Sequence, residues 1–209
     1  MKIVKEGYKF IGFAAALAVG AYTFVSPYAA VIPGTVAAFF TFFFRSPKRT
    51  IPEDNSVIVS PADGKVMNVT EIDNDDFIKG PARKVTIFLS VFNVHVNRSP
   101  MMGEVKLQQY TCGRFHPAYK SSVGFENERH TIGIDNGKMR ITVTQIAGIL
   151  ARRIVSWVTL NDTLTRGELY GLIKFGSCTE VVVPNNVEVL VKKGDKVIGG
   201  ETIIGRIKK

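Results

Sequence analysis

Three short segments of this 209-residue chain hold residue types from which nucleophilic chemistry can be built. Lys174-Phe175-Gly176-Ser177-Cys178-Thr179-Glu180 presents a hydroxyl directly before the β-type run Val181-Val182-Val183. Ser60-Pro61-Ala62-Asp63-Gly64 sets a carboxylate in a tight turn, and Asn93-Val94-His95-Val96-Asn97-Arg98 sets an imidazole inside a β run. Each also has a plain structural reading. Gly-Ser before a strand is a common turn, Asp63 can cap its own backbone, and His95 can be a core histidine with one satisfied nitrogen. Metal chemistry is poorly supplied. Two cysteines, Cys112 and Cys178, cannot make a disulfide scaffold or a Cys-rich zinc site, and His95, His116 and His130 have no ligand-type spacing.

The elements that must position these residues read as β structure. After Arg45-Ser46-Pro47 the chain turns to short β-branched and aromatic runs broken by turn residues. Ser56 to Ser60, Lys65 to Ile72, Val85 to Val96, Arg140 to Ile146, Val155 to Leu160, Thr179 to Val183 and Val187 to Val191 are the expected strands. Helical periodicity is weak and confined to Gly148 to Val155. Val57 to Val66 and Val189 to Val197 echo each other, each a β run, a Gly/Asp turn and then Lys-Val. The expectation is a mainly β domain, a small antiparallel barrel or sandwich with lipoyl-like halves and few helices, over residues 50–209.

Residues 1–49 differ in kind. Phe10 to Phe44 contains no charged residue. As one straight helix at ~1.5 Å per residue it would far exceed a ~30 Å hydrocarbon core, so two short helices turning at Ser26-Pro27 are expected, as a transmembrane hairpin, with a single kinked span or a re-entrant hairpin as the alternatives. The net charge is +9, of which residues 1–49 carry +5 and the other 160 residues +4. The basic excess therefore flanks the apolar segment instead of covering a nucleic-acid surface, and no nucleic-acid partner is expected. Lys/Arg at both ends place both ends in the cytoplasm by the positive-inside rule, giving a domain on the cytoplasmic side of the cell (inner) membrane.

In this order the segments resemble the phosphatidylserine decarboxylase family in its short, membrane-anchored form, relatives acting on archaetidylserine included. The resemblance rests on Phe44-Arg45-Ser46-Pro47, Ser60 to Gly64, Val94-His95 with Pro100, Glu126 to Arg129, Gln145 to Gly148 with Ala151-Arg152-Arg153, and Phe175-Gly176-Ser177. It implies self-cleavage between Gly176 and Ser177 into a β chain (1–176) and an α chain (177–209) that stay together. It also implies conversion of Ser177 into a pyruvoyl group that forms a Schiff base with the serine head group of a membrane phospholipid. No pyridoxal phosphate and no metal are then needed. The implied catalytic set is Asp63, His95 and Ser177, with His95 as base and Asp63 fixing its tautomer. Longer relatives carry a further histidine where Asn93 stands, which makes Asn93 the candidate for the substrate carboxylate. A homo-oligomer is compatible with this reading. Cys178 is read as a packing residue whose thiol could also react. The competing reading is a non-enzymatic, membrane-tethered carrier or adaptor built on the same barrel.

Overall fold

A computed structural model describes residues 1–113, 127–148, 153–174 and 177–208. The chain divides into two compact units, Met1–Lys48 and Arg49–Lys209.

The first unit is a helical hairpin closed by a two-stranded ribbon. β1 (Lys2–Ile3) leads into α1 (Lys5–Phe24), and α2 (Val31–Phe43) leads into β2 (Arg45–Ser46). α1 stops where Pro27 can no longer donate, and Pro33 sits in the first turn of α2, where its missing N–H costs nothing. The helices pack closely at Gly7, where an added Cβ would lie 2.6 Å from Cβ of Phe44. Phe10 stacks on Phe44 with centroids 5.5 Å apart. Pairing of Lys2 with Ser46 and Ile3 with Arg45 gathers both basic flanks at one end of the hairpin.

Two short helices are therefore present, but the expectation that they cross a membrane is corrected. No helix among the described residues is long and apolar enough to span one. Lys5, Glu6 and Lys9 occupy the first turns of α1, and the 13 residues of α2 rise only about 20 Å at ~1.5 Å per residue.

The second unit is mainly antiparallel β, as expected. In chain order its strands are β3 (Val57–Val59), β4 (Gly64–Asp75), β5 (Gly80–Leu89), β6 (Val96–Arg98), β7 (Gly103–Thr111), β8 (Arg129–Asp135) and β9 (Arg140–Ala147). They continue with β10 (Ile154–Ser156), β11 (Thr163–Leu164), β12 (Leu169–Ile173), β13 (Ser177–Pro184), β14 (Val187–Val189), β15 (Lys196–Val197) and β16 (Ile203–Ile207). An eight-stranded sheet runs β11-β7-β8-β9-β13-β5-β4-β15, with three-stranded sheets β10-β12-β6 and β14-β16-β3 beside it. The two segments that echo each other in sequence meet in space. Lys196 pairs with Lys65, and Val66 exchanges backbone hydrogen bonds with Gly194 and Asp195.

Strands β7, β8, β11, β12 and β15 go beyond the sequence expectation, and Val85 to Val96 divides into β5, a turn and β6. The expected run Val155 to Leu160 shortens to β10. Where weak helicity is expected, Ile154 and Val155 are strand, and 149–152 lie outside the described residues.

β13 lies between β9 and β5 and is paired on both sides, so alternate residues face opposite layers. Val181 and Val183 enter the main core with Val85, Ile87, Ile132, Ile134, Ile141 and Val143. Ser177 and Thr179 continue the same face of the strand toward its N-terminal end, so the apolar core is topped by a buried polar layer.

Candidate active site

Ser177 opens β13, opposite Leu89 on one side and Ala147 on the other. It is fully buried, and its Oγ has no hydrogen-bond partner among the described residues. A buried hydroxyl normally finds a partner, because leaving one unmet costs about 1–3 kcal/mol. The Ser177 hydroxyl is thus not committed to a structural hydrogen bond with any described residue. Gly176 and Phe175 lie outside the described residues.

His95 is fully buried in the turn before β6. Its carbonyl accepts from Ile173 N–H at 3.2 Å, which brings its backbone to the end of β12, four residues before Ser177. Its Nδ1 lies 3.0 Å from the carbonyl oxygen of Asn93. A carbonyl only accepts, so Nδ1 carries a proton, and Nε2 is the ring nitrogen that can act as a base. Asn93 is itself fixed, since its Oδ1 accepts from both the N–H and the hydroxyl of Ser90, at 2.9 and 2.8 Å.

Asp63 is engaged elsewhere. Both of its oxygens accept from Arg49 Nη2, at 2.9 and 2.7 Å, and Oδ1 also accepts from Gly199 N–H at 2.8 Å. Glu201 lies 3.8 Å from the other end of the Arg49 guanidinium. The expected Asp63–His95 bond is not among these, and the structure gives the orienting position on His95 to the Asn93 carbonyl. Asp63 instead holds the Ser60–Gly64 turn, whose Pro61 carbonyl accepts from Arg98 N–H at 2.9 Å and faces Asn97 Nδ2. Burial, and next the charge of Arg49, hold the Arg98 guanidinium below its usual pKa, against the pull of Asp63 and Glu201.

A buried polar network lies behind Ser177, and the sequence does not announce it. Gln145 Nε2 donates to Asn97 Oδ1 at 2.9 Å, and Asn97 Nδ2 donates to Thr179 Oγ1 at 3.2 Å. Gln108 Nε2 lies 3.0 Å from the Val158 carbonyl and 3.1 Å from His130 Nε2. His130 therefore accepts at Nε2 and carries its proton on Nδ1. Burial lowers its pKa, with the facing Gln145 amide opposing that shift. His130 is thus an interior residue and structural. Asn127 Nδ2 donates to the carbonyl of Ala147, the cross-strand neighbour of Ser177, at 2.6 Å.

Cys178 points to the opposite face, packed with Ile146, Met67 and Phe88. Burial first, and then the Glu180 charge, push its thiol up to about 12, so it is an inert packing residue. Of the remaining sequence candidates, His116, Glu126, Ala151 and Arg152 lie outside the described residues.

Comparison with known proteins gives a consistent result. The sequence profile of the family described as phosphatidylserine decarboxylase matches residues 36–205. A phosphatidylserine decarboxylase proenzyme of Carboxydothermus hydrogenoformans is 55% identical over 171 residues, 81% of this chain and 80% of its own length. The protein of the same name from Symbiobacterium thermophilum is 48% identical over 206 residues, 98% of this chain and 95% of its own. That from Desulfotalea psychrophila is 43% identical over 206 residues, 98% and 96%.

Proposed function

The chain belongs to the phosphatidylserine decarboxylase family, and from that premise we infer that it converts phosphatidylserine to phosphatidylethanolamine after cutting itself before Ser177. The observation that carries the assignment of the site is the fully buried, partnerless hydroxyl of Ser177 at the head of β13. The carrier reading loses its ground with membership in an enzyme family.

In the cleavage, Ser177 Oγ bonds to the carbonyl carbon of residue 176 while the C–N bond to Ser177 breaks. His95 Nε2 is the base proposed to take the hydroxyl proton, and the nitrogen of residue 177 gains one as it is released. Loss of the Ser177 α-proton with breakage of its Cβ–Oγ bond leaves a Cα=Cβ double bond at residue 177 and returns a carboxylate, carrying the former Oγ, to residue 176. Water then replaces the nitrogen, releasing ammonia and leaving a pyruvoyl terminus. Ser177 is fully buried between its cross-strand neighbours Leu89 and Ala147, a setting suited to a small group with no charge.

That group supplies an electron sink, through a carbonyl that condenses with the head-group amine and takes up the electrons freed as CO₂ leaves. The chain's own residues do the rest. Asn93 holds the tautomer of His95, Asp63 and Arg49 hold the turn beneath Asn97, and His95 returns a proton to the reacting carbon. Pyridoxal phosphate and a metal have no part in this scheme.

After the cut the two pieces remain one fold. β13 is paired along its length to β5 and β9, while β15 and β16 of the smaller piece pair with β4 and β3 of the larger. For attachment, the hairpin is proposed to hold the domain at the cytoplasmic face of the cell membrane. In support, Phe13, Leu17, Phe24 and Ile32 expose their side chains, and Thr23, Thr35 and Thr41 turn their hydroxyls back onto helix carbonyls. The test is CO₂ release from phosphatidylserine vesicles by the cleaved chain. Formation of phosphatidylethanolamine is expected, and a cleaved, carbonyl-bearing chain that leaves the lipid untouched would refute the substrate.

A further inference from the structure

The polar network behind Ser177 has a fixed direction. The Pro61 carbonyl can only accept, so the atom of Asn97 facing it, at 3.5 Å, is the amide nitrogen. Asn97 Oδ1 must then face Gln145 and accept from its Nε2. The other hydrogen of Asn97 Nδ2 goes to Thr179 Oγ1, which is thereby an acceptor toward Asn97. The hydroxyl hydrogen of Thr179 is left to donate elsewhere, and no other partner among the described residues takes it.

The network is built with little freedom. Asn97, Gln145 and Thr179 are all fully buried, and Gln145 faces Thr179 across the β9–β13 pair. A Cβ on Gly171 would lie 2.8 Å from Gln145 Nε2 and 2.5 Å from the Val155 carbonyl, so only glycine leaves room for that amide. Thr179 is two residues from Ser177 on the same face of β13, which separates the two side chains by about 7 Å at ~3.3 Å per residue. A three-carbon acid attached at residue 177 fits that interval.

Resting on the decarboxylase reading, we propose that Thr179 is the hydrogen-bond donor that holds the carboxylate of the substrate's serine head group beside residue 177. Asn97 and Gln145 act through it as positioning residues that aim its hydrogen. Asn93, the candidate for that task from the sequence, is fixed by Ser90 through its Oδ1 and holds His95 through its carbonyl, and the proposal places Thr179 in the carboxylate-binding role.

The test uses the full, cleaved chain in detergent and two probes that cannot react. 3-Phosphoglycerate keeps the carboxylate and phosphate of the head group, with a hydroxyl where the amine would be. Phosphoglycol lacks the carboxylate. Thr179→Val removes the hydroxyl at constant shape, and Thr179→Ser keeps it. By calorimetry, Thr179→Val is expected to weaken 3-phosphoglycerate about tenfold, as loss of a hydrogen bond to a charged group does. Phosphoglycol binding is expected to be unchanged, Thr179→Ser to restore the acid's affinity, and kcat/KM for phosphatidylserine to fall in parallel.

Equal affinity of Thr179→Val and wild type for 3-phosphoglycerate overturns the proposal. So does a Thr179→Val chain that fails to cleave while Thr179→Ser cleaves, because the hydroxyl then serves maturation. If Thr179→Val does not accumulate folded, Thr179→Ala carries the same comparison without added bulk. A wild-type chain that cleaves and binds the acid but spares phosphatidylserine refutes the enzyme reading and leaves the Thr179 result standing on its own.

Discussion

Replacing Asp63 with asparagine separates a residue that holds a turn from one that relays charge to His95. The carboxylate accepts from Arg49 Nη2 at both oxygens and from Gly199 N–H, with the two side chains only 17% and 11% exposed. Asparagine keeps one carbonyl oxygen, enough for Gly199, and loses the charged contact with Arg49. Breaking a fully buried ion pair costs about 3–5 kcal/mol, and a hydrogen bond to a charged group is worth roughly 1.5–3 kcal/mol. Partial exposure of this pair puts the expected loss near 2 kcal/mol. With a urea slope of about 2 kcal/mol per molar, the midpoint should fall by about 1 M.

The measurement is made in a Ser177→Ala background in detergent, so that both chains are uncleaved. Trp157, the sole tryptophan, reports on the β domain. In an Arg49→Met background the same change should cost at least about 1 kcal/mol less, the coupling expected of groups in contact. In the chain with Ser177 intact, Asp63→Asn should still cleave at low temperature. A chain of unchanged urea midpoint that no longer cleaves would refute this account and return Asp63 to a direct role at His95.

His95→Gln removes the basic nitrogen and should slow self-cleavage by about 10²–10⁴-fold, the usual contribution of a general base. A gel time course checks this, and cleavage within threefold of wild type argues against His95 as the base. Stability should also depend on pH through His130, whose folded pKa is lowered by burial. Between about pH 6.5 and that lower value the unfolded chain holds a proton the folded chain lacks, so stability falls as pH falls through this window. Urea midpoints at pH 8 and pH 5.5 should differ less in His130→Gln than in the parent chain, and an identical difference in both contradicts the assignment.

Much of the fold is legible in the sequence because alternation survives where one face of a strand is buried. Arg140–Ala147 and Ser177–Pro184 are read almost to their ends, for their inner residues complete a single core. β7 and β8 escape because Gln108, Gln109 and His130 interrupt that alternation with polar residues. Ser177 and His95 are found from local context, a Gly-Ser before a β run and a histidine within one. Their partners are not. Asn97 and Gln145 are 48 residues apart and meet only because β6 and β9 flank the same interior, and nothing in the chain near Asp63 points to Arg49. The length of the apolar segment is plain from Phe10 to Phe44, but the charges in the first turns of α1 and the shortness of α2 change what that length can span.

The most direct test of the whole account is the intact mass of the purified chain, beside Ser177→Ala. Two fragments, 1–176 and 177–209, are predicted for the wild type, the smaller lighter by the exchange of an amine terminus for a keto group and reactive toward a hydrazine. The Ser177→Ala chain should remain whole. A wild-type chain that stays in one piece when folded with lipid present, or a smaller fragment that begins with an ordinary serine, would contradict the assignment of Ser177 as nucleophile and precursor of the reactive carbonyl.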